Sequence, residues 1–237
     1  GFSLLAFIFI RDNPQSCGMK ADGIDFESSE MPPEETESST LHEVKRSPVF
    51  WIYSLSLSMH ALFGTAIVFH IISIFEEVGK GKAEAFSYFI PAAIFSTTSN
   101  LLASWAADKI NLKPILIIML VSFCIGSLGF INLDTSWGFW VLAFGFGVGG
   151  GLWGVISNLS YIRFFGPKHL GEISGFNASL TVFASAIGPA AFSLGFDYFG
   201  SYAEPAKICL GFLVILLVVS ILLDHKEGKN LDLINQN

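Results

Sequence analysis

The sequence predicts an all-α integral membrane protein, a six-helix transmembrane bundle of two inverted three-helix repeats preceded by a cytoplasmic linker. Three observations carry this. Of 237 residues, 52% are hydrophobic and 14% charged, a balance that does not describe a soluble surface. The apolar residues fall into runs long enough to cross hydrocarbon about 30 Å thick. Lys and Arg divide unevenly between alternate breaks, which orients the runs.

Residues 1–10 are apolar and end abruptly at Arg11 and Asp12. A stretch this short does not span a bilayer, so it reads as the end of a transmembrane helix that begins upstream, in a longer protein. Residues 11–47 open with turn chemistry (Pro14, Gly18, Asp22-Gly23) and continue in Glu, Ser, Thr and Pro. Such a stretch lacks the apolar surface to fold and is expected to be a largely disordered linker. Most of the net charge of −7 lies here, so the membrane part is close to neutral and no nucleic-acid partner is expected. Cys17, Cys124 and Cys209 have no metal or redox spacing; no metal or cofactor is expected.

The bundle is expected over 48–224. Lys45 and Arg46 precede Pro48, a helix-start proline, and the first span runs over 48–75. The second, 83–105, ends at a short charged break in which Asp108, Lys109 and Lys113 cannot sit cheaply in hydrocarbon. The remaining spans cover 114–133, 137–165, 171–196 and 206–223, followed by a tail over 225–237. Alternation puts Arg11, Lys20, Lys45, Arg46, Lys109, Lys113, Arg163, Lys168, Lys226 and Lys229 on one side and Lys80, Lys82 and Lys207 on the other. The richer side is the cytoplasm, so the linker and C-terminus are cytoplasmic. Trp51, Trp105, Trp137 and Trp140 fall near span ends, as an interfacial aromatic belt requires, while Trp153 lies mid-span.

The six spans have a period of three. The first and fourth carry deep polar or aromatic residues such as His60 and Trp153; the second and fifth are rich in small and hydroxyl residues; the third and sixth are greasy throughout. A helix with no polar stripe has nothing to turn away from lipid, so the last pair is expected at the periphery. Polar, small, greasy, repeated twice, is the pattern of an inverted repeat.

Two motifs add a resemblance. Ser104-Trp-Ala-Ala-Asp108-Lys109-Ile-Asn111-Leu-Lys113 is similar to the short cytoplasmic loop that recurs in major facilitator superfamily (MFS) transporters, with Ser104 and Asn111 in place of glycines and Lys113 one place late. Arg11-Asp-Asn-Pro14, with Gly18 and Asp22-Gly23, resembles the segment after their sixth helix. The resemblance implies half of an MFS fold: the end of helix six, the central loop and helices seven to twelve, completed by a missing N-terminal six-helix half. It also implies a secondary active transporter moving a small solute by alternating access in the cell or inner membrane. The first and fourth helices would line the cavity, the second and fifth meet the other half, and Asp108 and Lys109 act at a cytoplasmic gate. The coupling ion, a proton included, stays open.

His60 lies near the middle of its span, in one stripe with Tyr53, Ser56 and Gly64. An ionisable group at that depth is costly and marks a substrate cavity, or else is a neutral imidazole bonded to a neighbouring helix. Trp153 follows a run of glycines that implies either a flexing gate helix or static close packing. Asn158 and Tyr161 are cavity candidates below it. Asn100, Asn177 and Thr181 are expected at the interface with the missing half. Asn100 also stands where carboxylate carriers of the superfamily have an anion-binding arginine, so this half supplies no midplane cation. Arg163 and Glu172 either pair across their turn or are solvated separately. The rival readings are a six-helix membrane receptor and a membrane-embedded enzyme, the latter needing a nucleophile and base at one depth.

Overall fold

The computed structural model describes residues 38–224, which belong to one unit, Glu37–Asn237. The apolar stub, the Arg11 motif, most of the linker and the tail over 225–237 lie outside the described residues.

A short helix, α1 (Leu41–Val44), is started by Thr40, whose backbone N–H donates to Glu43 Oε2 at 2.8 Å. Pro48 then occupies the first turn of α2 (Pro48–Glu77), where its missing N–H costs nothing. Gly79, with φ of 73°, turns the chain in a region closed to residues with a Cβ. The expected second span is two helices, α3 (Lys82–Ser87) and α4 (Phe89–Ala107). Pro91 explains the division: it brings no N–H to the carbonyl of Ser87. There follow α5 (Leu112–Ile131), α6 (Gly138–Phe165), α7 (Leu170–Phe199) and α8 (Ala203–Leu222). α7 holds Pro189 in its interior and ends at Gly200 in the left-handed conformation.

Among the described residues, five helices, α2, α5, α6, α7 and α8, are long and apolar enough to cross a membrane. The second element, divided at Tyr88 and carrying the run Ser96-Thr-Thr-Ser-Asn100, is outside that set.

Polar contacts tie the helix ends together in two groups. At one end Ser39 N–H donates to Phe165 O at 2.9 Å, Arg163 Nη2 to Ala107 O at 2.7 Å, and Lys113 Nζ to Leu223 O at 2.6 Å. The linker end, the end of α4, the start of α5 and the ends of α6 and α8 therefore share one end of the bundle. Tyr202 N–H donates to Glu77 Oε2 at 3.1 Å, joining the end of α2 to the start of α8 at the opposite end. Arg163 thus caps a neighbouring helix and is not paired with Glu172.

The packing is reciprocal. α2 lies along α7, α4 along α6, and α5 along both α6 and α8. The first helix of each triplet accompanies the second helix of the other and the two third helices meet, as in two copies of one unit, while α5 lies along α6 far more extensively than α8 lies along α2. Three crossings per copy invert the second relative to the first.

The expectation for the third helices needs correction. More than half of the apolar stretch of α5 is buried, because its Gly126 backs onto Gly145 of α6 and its Leu116, Met119 and Phe123 fill the core. α8 remains one-sided, with Cys209 and Leu213 buried while Phe212 and Ile215 are exposed. A greasy helix is compatible with lipid or with a protein core, and composition does not separate them.

The glycine run of α6 is a packing device on two sides. A Cβ at Gly145 would collide with the backbone of Gly126, and one at Gly151 with the backbone at Ser96 in α4. A Cβ at Gly150, by contrast, would meet side-chain atoms at an ordinary 3.8 Å. We expect Gly145→Ala to destabilise the detergent-solubilised protein by about 1–3 kcal/mol through overpacking. Gly150→Ala should be neutral or stabilise by up to about 1 kcal/mol. Thermal unfolding of the two variants side by side checks this.

Candidate functional site

Four helices line an open cavity of about 740 Å³. Its wall comes from α2 (His60, Gly64, Thr65), from the α3–α4 break and α4 (Tyr88, Phe89, Ser96), from α6 (Phe146, Trp153) and from α7 (Thr181, Ser185). These are the first and second helices of both triplets. α5 and α8 contribute no lining residue, and no Lys, Arg, Asp or Glu lines the cavity among the described residues.

His60 and Trp153 form its floor, their ring centroids 5.5 Å apart. The imidazole stacks on Phe123 of α5 at 4.6 Å and 13°, so the buried third helix serves as a backstop that fixes the ring plane. Gly64 and Gly150 flank the imidazole edge, and a Cβ on either would only just reach it. Nδ1 of His60 is buried and makes no hydrogen bond. A buried lone pair or N–H without a partner costs about 1–3 kcal/mol, a cost His60 shares with the buried hydroxyls of Ser56, Ser58, Ser160 and Ser220 and with the Asn177 amide oxygen. The indole N–H of Trp153 donates to Leu57 O at 3.2 Å, which sets its ring across the floor.

The walls are tied by polar pairs. Thr65 Oγ1 and Ser185 Oγ lie 2.9 Å apart, joining α2 to α7. Ser99 Oγ donates to Val148 O at 3.1 Å and Asn100 Nδ2 to Gly151 O at 2.9 Å, joining α4 to α6. Near the far end of the cavity, His70 Nε2 lies 3.0 Å from Pro189 O and its Nδ1 3.4 Å from Tyr202 OH. A carbonyl only accepts, so Nε2 carries the proton and Nδ1 accepts from the tyrosine.

Several sequence-predicted residues are placed elsewhere. Tyr53 is buried against Phe164, at 5.0 Å between centroids, and Ser56 is fully buried; neither lines the cavity. Tyr161 is buried with its hydroxyl 2.8 Å from Ser54 Oγ, as a strut between α6 and α2. Asn158 is exposed and donates to Gly154 O in its own helix. Asn100 turns into α6 instead of outward. Asn177 is buried, and Thr181 lines the cavity while donating to Asn177 O. Asp108 and Lys109 are exposed at the end of α4, with Lys109 Nζ 3.9 Å from the centre of the Trp105 ring. Helical spacing gives a shared face but not the neighbour that the face meets. Thr65 and Tyr88 were missed: the signals were Thr65 one turn beyond Ala61 on the His60 side, and Pro91 beside Tyr88.

The family model for the Major Facilitator Superfamily matches residues 1–189 and, again, 86–233. The chain belongs to the Major Facilitator Superfamily. It is therefore a membrane transporter in general type, and its all-helical bundle is the superfamily's. A search of curated proteins finds no match.

Within this superfamily member the Ser54–Tyr161 pair is a strut, apart from the cavity. Tyr161→Phe is expected to lower unfolding stability by about 0.6–1.7 kcal/mol, the range for interhelical hydrogen bonds in membranes. Ser54→Ala should cost a similar amount, and the double variant little more than either single one. A thermal double-mutant cycle in detergent measures it.

Proposed function

We propose that the chain forms one side of the solute path of a secondary active transporter that works by alternating access. One observation supports this above the others: the cavity is walled by the first and second helices of both triplets, with His60 and Trp153 lining it from the middle of their helices. A site between this bundle and a second six-helix bundle is reached from either side by rocking one bundle against the other, without chemistry on the solute. The enzyme alternative would place a nucleophile and base beside His60, and the lining offers neither a carboxylate nor a cysteine there.

The exposed large apolar residues of α4 and α7, among them Ile94, Leu101, Val182 and Phe183, support a second six-helix bundle as the partner that closes the cavity. The end of the bundle holding Lys45, Arg46, Lys109, Lys113, Arg163 and Lys168 is assigned to the cytoplasm of a cell or inner membrane, against Lys80, Lys82 and Lys207 at the other. Asp108 and Lys109 lie at that cytoplasmic end, where a gate would close.

The test is flux in proteoliposomes containing the full-length protein, with a panel of small solutes and imposed proton or sodium gradients. Accumulation against a solute gradient is expected, falling at least about tenfold in His60→Ala and persisting in Tyr161→Phe. No flux of any solute, or His60→Ala equal to the parent, would contradict the reading.

A further inference from the structure

We infer that the cavity is built for a small organic ammonium ion. This rests on the transport reading of the same cavity and specifies its substrate class.

The inference follows from where the protons of the wall go. Thr65 Oγ1–H donates to Ala61 O, so in the Thr65–Ser185 pair the serine must be the donor. Thr181 Oγ1–H donates to Asn177 O at 3.0 Å, and the Trp153 indole N–H donates to Leu57 O. All these donors are spent within the protein, and what those side chains keep for an occupant is oxygen lone pairs and a π face. Two prolines in the wall helices, Pro91 and Pro189, subtract backbone N–H groups and no carbonyls. Ser96, Tyr88 and the single N–H of a neutral His60 are what is left to donate, and none of them carries charge.

The rest of the wall is apolar, with four aromatic rings, Trp153, Tyr88, Phe89 and Phe146, among aliphatic residues such as Ile67, Val68 and Val182. Aromatic faces carry the negative side of the ring quadrupole and attract cations, most strongly where water is excluded. An anion would meet lone pairs and π faces with no Lys or Arg among the described lining residues to answer it. A bare alkali ion would have to shed its hydration with no carboxylate in compensation. An alkylammonium ion spreads its charge over methyl and methylene groups, which suits an apolar wall with scattered acceptors.

Three isosteric probes separate the possibilities on the full-length protein in nanodiscs: choline, 3,3-dimethylbutan-1-ol and 3,3-dimethylbutanoate, cation, neutral and anion of nearly one shape. By titration calorimetry choline should bind at least about tenfold more tightly than the alcohol, and the carboxylate weakest. Trp153→Leu should weaken choline about tenfold and shift the alcohol by no more than about twofold, with Trp153→Phe in between. Phe89→Leu, at a partly exposed position, should give a smaller loss of the same sign if Trp153→Leu proves unstable. Equal binding of choline and the alcohol, preference for the carboxylate, or no binding of any probe would overturn the inference. Choline bound but never moved across proteoliposomes would count against transport and leave the cation wall standing. Movement of neutral or anionic solutes alone would do the reverse.

Discussion

Inside hydrocarbon, every polar group must find its partner within the protein or else be kept for a ligand. That constraint organises this bundle. α2 is held to α7 by the Thr65–Ser185 pair and by His70 on the Pro189 carbonyl. α4 is held to α6 by Ser99 and Asn100 on the Val148 and Gly151 carbonyls. Each clamp joins the first helix of one triplet to the second of the other, so polar bonding and repeat symmetry specify the same arrangement. The glycines of α6 let the backbones come close enough for these bonds to form.

With the walls tied in this way, the floor is set by aromatic packing: His60 is oriented by Phe123 behind it and Trp153 beside it. Its Nδ1, like the buried hydroxyls of Ser56, Ser58, Ser160 and Ser220 and the Asn177 amide oxygen, has no hydrogen-bond partner among the described residues. The same accounting, followed through the lining hydroxyls, leaves scattered acceptors in a mostly apolar wall.

Much of the fold was legible in the sequence. Span limits are local properties: Pro48 starts α2, Gly166 and Gly200 end α6 and α7, and the charged break at Asp108 and Lys109 ends α4, all close to where hydropathy put them. The pairing of His60 with Trp153 was legible in part, because both are anomalous at mid-span. The aim of Asn100, Tyr53 and Tyr161 was not, since a helix turned by one residue rotates about 100° and the sequence does not say which neighbour waits there. The burial of α5 was hidden for a different reason: lipid and protein core favour the same side chains. The break at Tyr88 was written in Pro91, but a proline can sit inside a membrane helix without dividing it, as Pro189 does in α7.

The central claim is that the space between α2, α4, α6 and α7 is a water-accessible path and that the outer face of α8 is not. Single cysteines introduced by Ser96→Cys, Thr181→Cys and Phe212→Cys, in full-length protein whose native cysteines are replaced, measure this through their reaction with a membrane-impermeant thiol reagent. The account predicts that the first two react and are protected by bound solute, and that Phe212→Cys stays unlabelled. Ser96→Cys and Thr181→Cys as inert as Phe212→Cys, with reagent present on both sides of the membrane, would contradict it.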